Sequence, residues 1–516
     1  MMELDQEYSK EELNFSRPLD RHRISEHPEV KTFLKDFQQT YFPKYGKPRR
    51  KMLDVLLMDL YINWYYNQDM FVGLHRDVTA YRPSARLNKL RITRTIILVA
   101  DDLISSGFIY WHKGYDGDYN SKISRIKANP KLEAIFQEAS FNVLDITDHS
   151  ERETIILKDV VYEETKEGKE IKTKPIIEYE DTNLTVSMRH DLKAYNDLIH
   201  RTHVDIGNLN RPYIERRKGR KQKKASKVAI SQHNKFTYRV FNNASWDNGG
   251  RFYGAWWQSI GSEHRIHIRL NGERVVETDV SGIHIILLYA RKDIVYTETG
   301  IGDCYAVDVP EVDDAQARRW LIKQVFLLAV NAIDVPTTCS AVRQKVRQEL
   351  PEYIELPDIK LDNKFITSII DKLRDKHPLI AEFFCTGAGI ELQNTDSQIT
   401  SFILNHFTKR NVPCLSIHDS YIVPEQYNLE LFDTIQEAFA NVTGLTSELW
   451  GETSAANVHT PVVQDGYVDE LIDPEEPDGG IEHQEMLARK DKHMVVLPAY
   501  ERRLKDFQTW LSKTDG

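Results

Sequence analysis

Two acids stand where a chain would place catalytic carboxylates. Asp279 closes the run Val275-Val276-Glu277-Thr278, and the apolar stretch Ile283 to Tyr289 follows almost at once, the pattern of a strand that turns into a buried helix. A carboxylate at such a lip is held rigidly while it faces a cleft, which suits a metal ligand or a general base. Asp419 lies in Leu415-Ser416-Ile417-His418-Asp419-Ser420-Tyr421-Ile422-Val423-Pro424, apolar on both sides of a His-Asp-Ser triplet, as a hairpin between two strands would be. Two-metal phosphoryl transfer needs carboxylates from separate segments, because metals ~3.5–4 Å apart must be clamped from opposite sides. Asp279 and Asp419 fit that need.

Three groups of cations accompany them. The stretch Asp313 to Ala332 reads as a helix with Arg319 and Lys323 one turn apart, a face that suits a triphosphate tail and equally an amphipathic surface helix. In Trp246-Asp247-Asn248-Gly249-Gly250-Arg251-Phe252-Tyr253 the glycines let the backbone approach something closely, and Arg251 can fork onto a phosphate; a Gly-rich turn capped by core aromatics is the other reading. The strongest basic run, Arg216-Arg217-Lys218-Gly219-Arg220-Lys221-Gln222-Lys223-Lys224, would bind phosphates without reading sequence.

The 516 residues leave room for two to four domains, and a net charge of −10 confines any nucleic-acid binding to local patches. Cys304, Cys339, Cys385 and Cys414 show no CxxC pairing, so the expected compartment is a reducing cytoplasm, and no apolar run approaches the ~18 residues of a membrane span. Five segments are expected. Residues 1–30 form a polar arm. Residues 31–150 form a mostly helical unit in which Arg86, Lys89, Arg91 and Arg94 open a helix before a short β-like run, resembling a winged helix, or else line a solvated face. Residues 151–235 hold a charged hairpin, a thumb-like helix and the basic run. Residues 236–472 carry the acids, and 473–516 an acidic linker and an amphipathic docking helix.

The order Asp247-x-x-Gly250-Arg251, Asp279, Arg319-x-x-x-Lys323, His418-Asp419-Ser420 resembles the catalytic series of the A-family polymerases, including the phage-type single-subunit RNA polymerases. The likeness covers roughly residues 236–445. It implies an α+β right hand of palm, fingers and thumb, with Asp279 and Asp419 as metal-binding and catalytic acids for Mg²⁺ (or Mn²⁺). Lys323 and Arg319 would hold the triphosphate, Lys323 with a catalytic part; Arg251, Tyr253, His418, Arg216, Arg217, Lys218, Arg220 and Lys221 would contact nucleic acid. The implied reaction is attack of a 3′-hydroxyl on the α-phosphate of a nucleoside triphosphate, on a DNA or RNA primer-template.

Departures refine this. Eight residues after Lys323 the family has Tyr-Gly where this chain has Asn331-Ala332, so Asn331 enters the expected nucleotide site. Five residues after Asp279 the DNA-making members carry Glu, and here stands His284. The His-Asp-Ser triplet is that of the RNA branch. The expectation is therefore RNA synthesis or priming, and the chain's size points to a specialised polymerase of a phage, plasmid or bacterial element. The alternatives are an A-family-like DNA polymerase with an unusual sugar gate, a DNA-binding initiator or regulator with an inactive palm, and a metal-dependent nuclease.

Overall fold

The computed structural model describes residues 8–81, 84, 86–114, 123–164, 170–216, 226–280, 282–351, 354–357, 359–446, 451–454 and 496–514. Arg217, Lys218, Arg220 and Lys221 of the basic run, and the acidic linker, lie outside the described residues; Arg216 ends a strand, Tyr213–Arg216. The chain is mixed α and β, and its buried apolar residues form two cores.

The first core gathers strand β1 (Ser16–Pro18), helices α1 (Pro28–Tyr41) and α2 (Lys47–Tyr66), strand β2 (Phe71–Leu74), helix α3 (Thr95–Ser105) and strands β3 (Ile109–His112) and β4 (Ser124–Ala128). The sheet order is β1-β2-β4-β3, parallel between β1 and β2 and antiparallel elsewhere. Helix α2 buries Met52, Leu53, Leu56, Leu57 and Leu60, so it runs through this core instead of lying on it. Two expectations are corrected. The polar start of the chain joins the fold, through β1 and through Arg23-Ile24, which pair with Thr147-Asp148. Residues 86–94 form turns, and the helix begins only at Thr95. The cause is local: Asn88 closes both ways on Ile92, Nδ2 donating to its carbonyl and Oδ1 accepting from its N–H at 2.8 Å each, which competes with a helical ladder.

The second core runs from Ile155 to Phe439. It begins with β5 (Ile155–Leu157), α4 (Asn183–His200) and β6 (Val204–Ile206), followed by the hairpin β7 (Tyr238–Asn242) and β8 (Ser245–Tyr253). Then come β9 (Ile268–Leu270), β10 (Glu273–Val280), α5 (Ile283–Ala290), α6 (Ala315–Asn331), α7 (Val335–Glu349), α8 (Asn363–Lys376) and α9 (Gly389–Lys409). The hairpin β11 (Leu415–Ile417) and β12 (Ser420–Pro424), helix α10 (Asn428–Thr443) and strand β13 (Gly451–Ser454) complete it. The main sheet has the order β6-β9-β10-β12-β11, with β13 also on β10, all antiparallel. Asp314, Asp334 and Asp362 each accept an N–H in the first turn of α6, α7 and α8, and Gly444 at φ +76° ends α10.

Helix α11 (Pro498–Thr514) spans both cores: Phe507 and Trp510 enter the first, while Arg503 Nε donates to Asp205 Oδ2 of β6 at 2.6 Å. Among the described residues no helix is long and apolar enough to cross a membrane.

Candidate active site

The register of the central strands brings the two acids together. Asp279 of β10 is paired with Ser420 of β12, and the Val280 N–H donates to the Asp419 carbonyl at 3.3 Å. Both carboxylates therefore stand at one end of adjacent antiparallel strands. Ile417 pairs with Ser420, so His418-Asp419 is the whole turn, and His418 takes φ +57°. That left-handed conformation costs a non-glycine residue about 1 kcal/mol or more, and such strain gathers at functional sites.

Beneath the turn the strand alternation puts Glu277 on the same face as Asp279. Glu277 is buried, takes Arg265 bidentately at 2.6–3.0 Å and accepts from Ser420 Oγ at 2.5 Å. The serine of the triplet thus ties the two strands together next to the acids.

Arg251 comes to the cluster from β8. Its Nε and Nη2 lie 2.8 and 2.7 Å from Asp396 Oδ2 of α9, and Nη2 donates to His284 Nε2 at 2.9 Å. A guanidinium can only donate, so His284 Nε2 is the bare nitrogen of a neutral ring. Burial, then Arg251, push His284 down to about 4, with Asp419 pulling the other way. Burial, opposed by Arg251 and reinforced by Asp419, pushes Asp396 up to about 6. The arginine does not outweigh burial and a neighbouring acid combined. Asp419 itself makes no ion pair among the described residues.

The paired glycines ahead of Arg251 serve helix packing. Gly249 and Gly250 have φ of +76° and +85°, and a Cβ on Gly250 would lie 2.7 Å from the Phe241 ring and 2.8 Å from Ser397 Oγ of α9. Asn394 Nδ2 of the same helix donates to the Trp246 carbonyl at 2.8 Å. The close approach that these glycines announce is made to helix α9. Tyr253 lies edge-on to His418, ring centroids 6.2 Å apart.

On α6, Lys323 is exposed and makes no ion pair among the described residues. Arg319 pairs with Asp303 and its guanidinium lies 5.4 Å from the centre of the Tyr305 ring. Burial, reinforced by Asp419 and opposed by Arg319, pushes the Tyr305 phenol up. Asn331 donates to Leu327 O at 2.7 Å and accepts from Gln393 Nε2 of α9 at 3.2 Å; a Cβ on Gly389 would come within 2.3 Å of its Oδ1. Asn331 thus marks the crossing of α6 and α9.

Asp396, Glu277, Asp303 and Tyr305 belong to this neighbourhood and were not singled out from the sequence. Only Glu277 carried a signal, its two-residue offset from Asp279. Among the described residues no three His, Cys, Asp or Glu side chains form a ready metal cage. All four cysteines are buried free thiols. No family model matches the chain, and a comparison with curated proteins found no match.

Proposed function

We propose that the chain is a nucleotidyltransferase of the right-hand polymerase type, extending a 3′-hydroxyl from nucleoside triphosphates on a nucleic-acid template. One observation carries this reading: Asp279 and Asp419, 140 residues apart in sequence, meet at one end of neighbouring strands. Two carboxylates suit Mg²⁺, which keeps open positions for substrate oxygens. When bound there, the metal would activate the 3′-hydroxyl and offset charge on the leaving pyrophosphate.

Lys323 and Arg319 on α6 then take the triphosphate, Arg319 exchanging Asp303 for phosphate. Arg251, held by Asp396 and His284, keeps Nη1 for the primer-template, and Tyr253 and His418 stand beside it. The second core supplies palm and fingers, with α4 as thumb. In the first core, α3 followed by β3 and β4, with β2 beyond, reads as a winged helix. His284 in place of Glu and the His-Asp-Ser turn favour ribonucleotides.

Extension of a labelled primer-template, and of template without primer, with Mg²⁺ and either rNTPs or dNTPs tests the reading. Product from wild type and none from Asp279→Ala/Asp419→Ala supports it, and the preferred sugar fixes the branch. Absence of product from wild type on every substrate pairing overturns it.

A further inference from the structure

The N-terminal unit carries cations that the proposed catalytic cleft does not use. Lys47 and Lys51 stand four residues apart on α2 and so leave one face of the helix. Helix α3 packs against α2 in the same core; Ile92 is fully buried there, and Arg91 beside it is exposed. The loop holding Arg91 is closed by hydrogen bonds. In addition to the two Asn88–Ile92 bonds, the Arg91 N–H donates to the Asn88 carbonyl at 2.8 Å, and Arg91 is fixed at φ +51°. Arg94 follows, exposed, immediately before α3.

Three of these charges, Lys47, Lys51 and Arg91, crowd one another, and Arg94 follows Arg91 by three residues. Burial, then Arg91 and Lys47, hold Lys51 below its usual pKa. The nearby acids are engaged elsewhere: Asp101 with Arg76, Asp102 with Arg49 at 3.3 Å, while Asp54 has Arg50 beside it. Lys47, Lys51, Arg91 and Arg94 make no ion pair among the described residues. The other half of the same basic stretch behaves differently. Arg86 reaches Glu153 at 2.9 Å and Asp181 at 3.0 Å, and Lys89 reaches Glu151 at 3.7 Å. Cations in one run are thus split between a neutralised pair and a like-charged cluster reinforced from a second helix.

We propose that Lys47, Lys51, Arg91 and Arg94 form a contact surface for the phosphate backbone of a nucleic-acid duplex, separate from the cleft holding Asp279 and Asp419. Like charges held together oppose folding and become favourable when a polyanion releases its counter-ions onto them. Among the described residues that flank these cations in sequence, the exposed ones include Pro48, Arg49, Arg50, Thr93 and Leu98 and none is an aromatic ring, so no platform on which unpaired bases would stack lies beside them. The cluster therefore positions a duplex without reading its sequence. The surface goes beyond the polymerase reading and stands if that reading falls.

Fluorescence anisotropy of a labelled blunt-ended DNA duplex, over a potassium chloride series, tests it. Wild type is compared with the full-length variant Lys47→Ala/Lys51→Ala/Arg91→Asn/Arg94→Ala, in which Asn at 91 tolerates the left-handed backbone. Four lost phosphate contacts should weaken binding at least ~tenfold at moderate salt and make the slope of log K against log salt shallower by about 3 to 4. Lys47→Arg/Lys51→Arg should retain affinity, separating charge from folding. The proposal is overturned if wild type does not bind the duplex, if the quadruple variant keeps affinity and slope, or if the charge-preserving variant loses binding equally. It is also overturned if the quadruple substitution abolishes binding to phosphatidylserine vesicles and leaves duplex binding intact. Primer extension by the same variants, at saturating primer-template, stays at the wild-type rate and reports on the catalytic reading alone.

Discussion

Two buried charge clusters, one at the junction of the two cores and one within the second, are built on opposite plans. At the junction of the two cores, Arg17, Arg23 and Arg152 face Asp20, Asp59 and Asp148. Arg17 meets Asp59 at 2.8 Å, Arg23 meets Asp20 at 3.2 Å and Asp148 at 2.5 Å, and Arg152 meets Asp20 at 3.0 Å and Asp148 at 2.5 Å. Three cations balance three anions. In the candidate site Asp396 has Arg251 on it and Asp419 pushing it up, and the histidine that completes the group is neutral. Parity marks a network whose work is cohesion. A surplus of acids marks a place still short of positive charge, which a metal ion would supply.

This contrast is broken most sharply by removing one acid from each cluster. If the proposed reading holds, Asp279→Asn or Asp419→Asn should lower extension by ~10³-fold or more, since each would withdraw a metal ligand with several kcal/mol of transition-state stabilisation. The urea midpoint should hold or rise. Asp59→Ala should do the reverse: it strands Arg17 and Arg23 without an acid they share, and breaking a buried pair costs about 3–5 kcal/mol. Urea denaturation and primer extension on the same preparations check both. If Asp279→Asn unfolds the protein, or Asp59→Ala is neutral, the two clusters do not differ as described.

Arg251 and Asp396 sharpen the comparison because they belong to the site yet are paired. Asp396→Asn keeps a carbonyl for Arg251 but weakens its anchor, and should cost about 10–100-fold in activity with under ~1 kcal/mol in stability. The loss should appear in the rate at saturating nucleotide more than in nucleotide KM. A pure KM effect would show that Arg251 is not being positioned through Asp396.

The acids on β10 and at the β11–β12 turn were legible because period-two alternation and a two-residue break announce a strand end and a hairpin without distant context. Asp396 was not, since its meaning depends on Arg251, which lies 145 residues away in sequence. The basic stretch 86–94 misled for a different reason: its cation spacing imitates a helix face, while the Asn88–Ile92 bonds that decide its shape are side-chain chemistry. Of the N-terminal sheet only the short β-like run that became Ile109–His112 was anticipated, because its strands are three to five residues long, too short to show a period. Glycines 249 and 250 signalled a close approach correctly in kind, but sequence does not name the object approached.

The smallest expected effect concerns the helix that joins the two halves. His203 lies between Tyr500 and Phe507 of α11, ring centroids 5.6 and 5.3 Å away, and His200 faces Trp510 at 5.6 Å. Burial, with Lys235 adding to it, pushes His203 down to about 3 and His200 down to about 4, from an unfolded value of 6.5. The folded state therefore refuses protons that the unfolded chain accepts. The stability tied to the neutral rings is complete above pH 6.5 and is lost as pH falls below it, toward 4 for His200 and 3 for His203. Asp54 and Asp396, both pushed up to about 6, act in the opposite sense over part of that window, so the whole-protein slope mixes the two. A difference isolates the histidine. His203→Leu keeps the apolar packing and removes the titration, so between pH 7 and pH 5 wild type should lose up to about 2 kcal/mol relative to the variant. Urea unfolding at the two pH values measures this, and a gap independent of pH would show that His203 is not held neutral under α11.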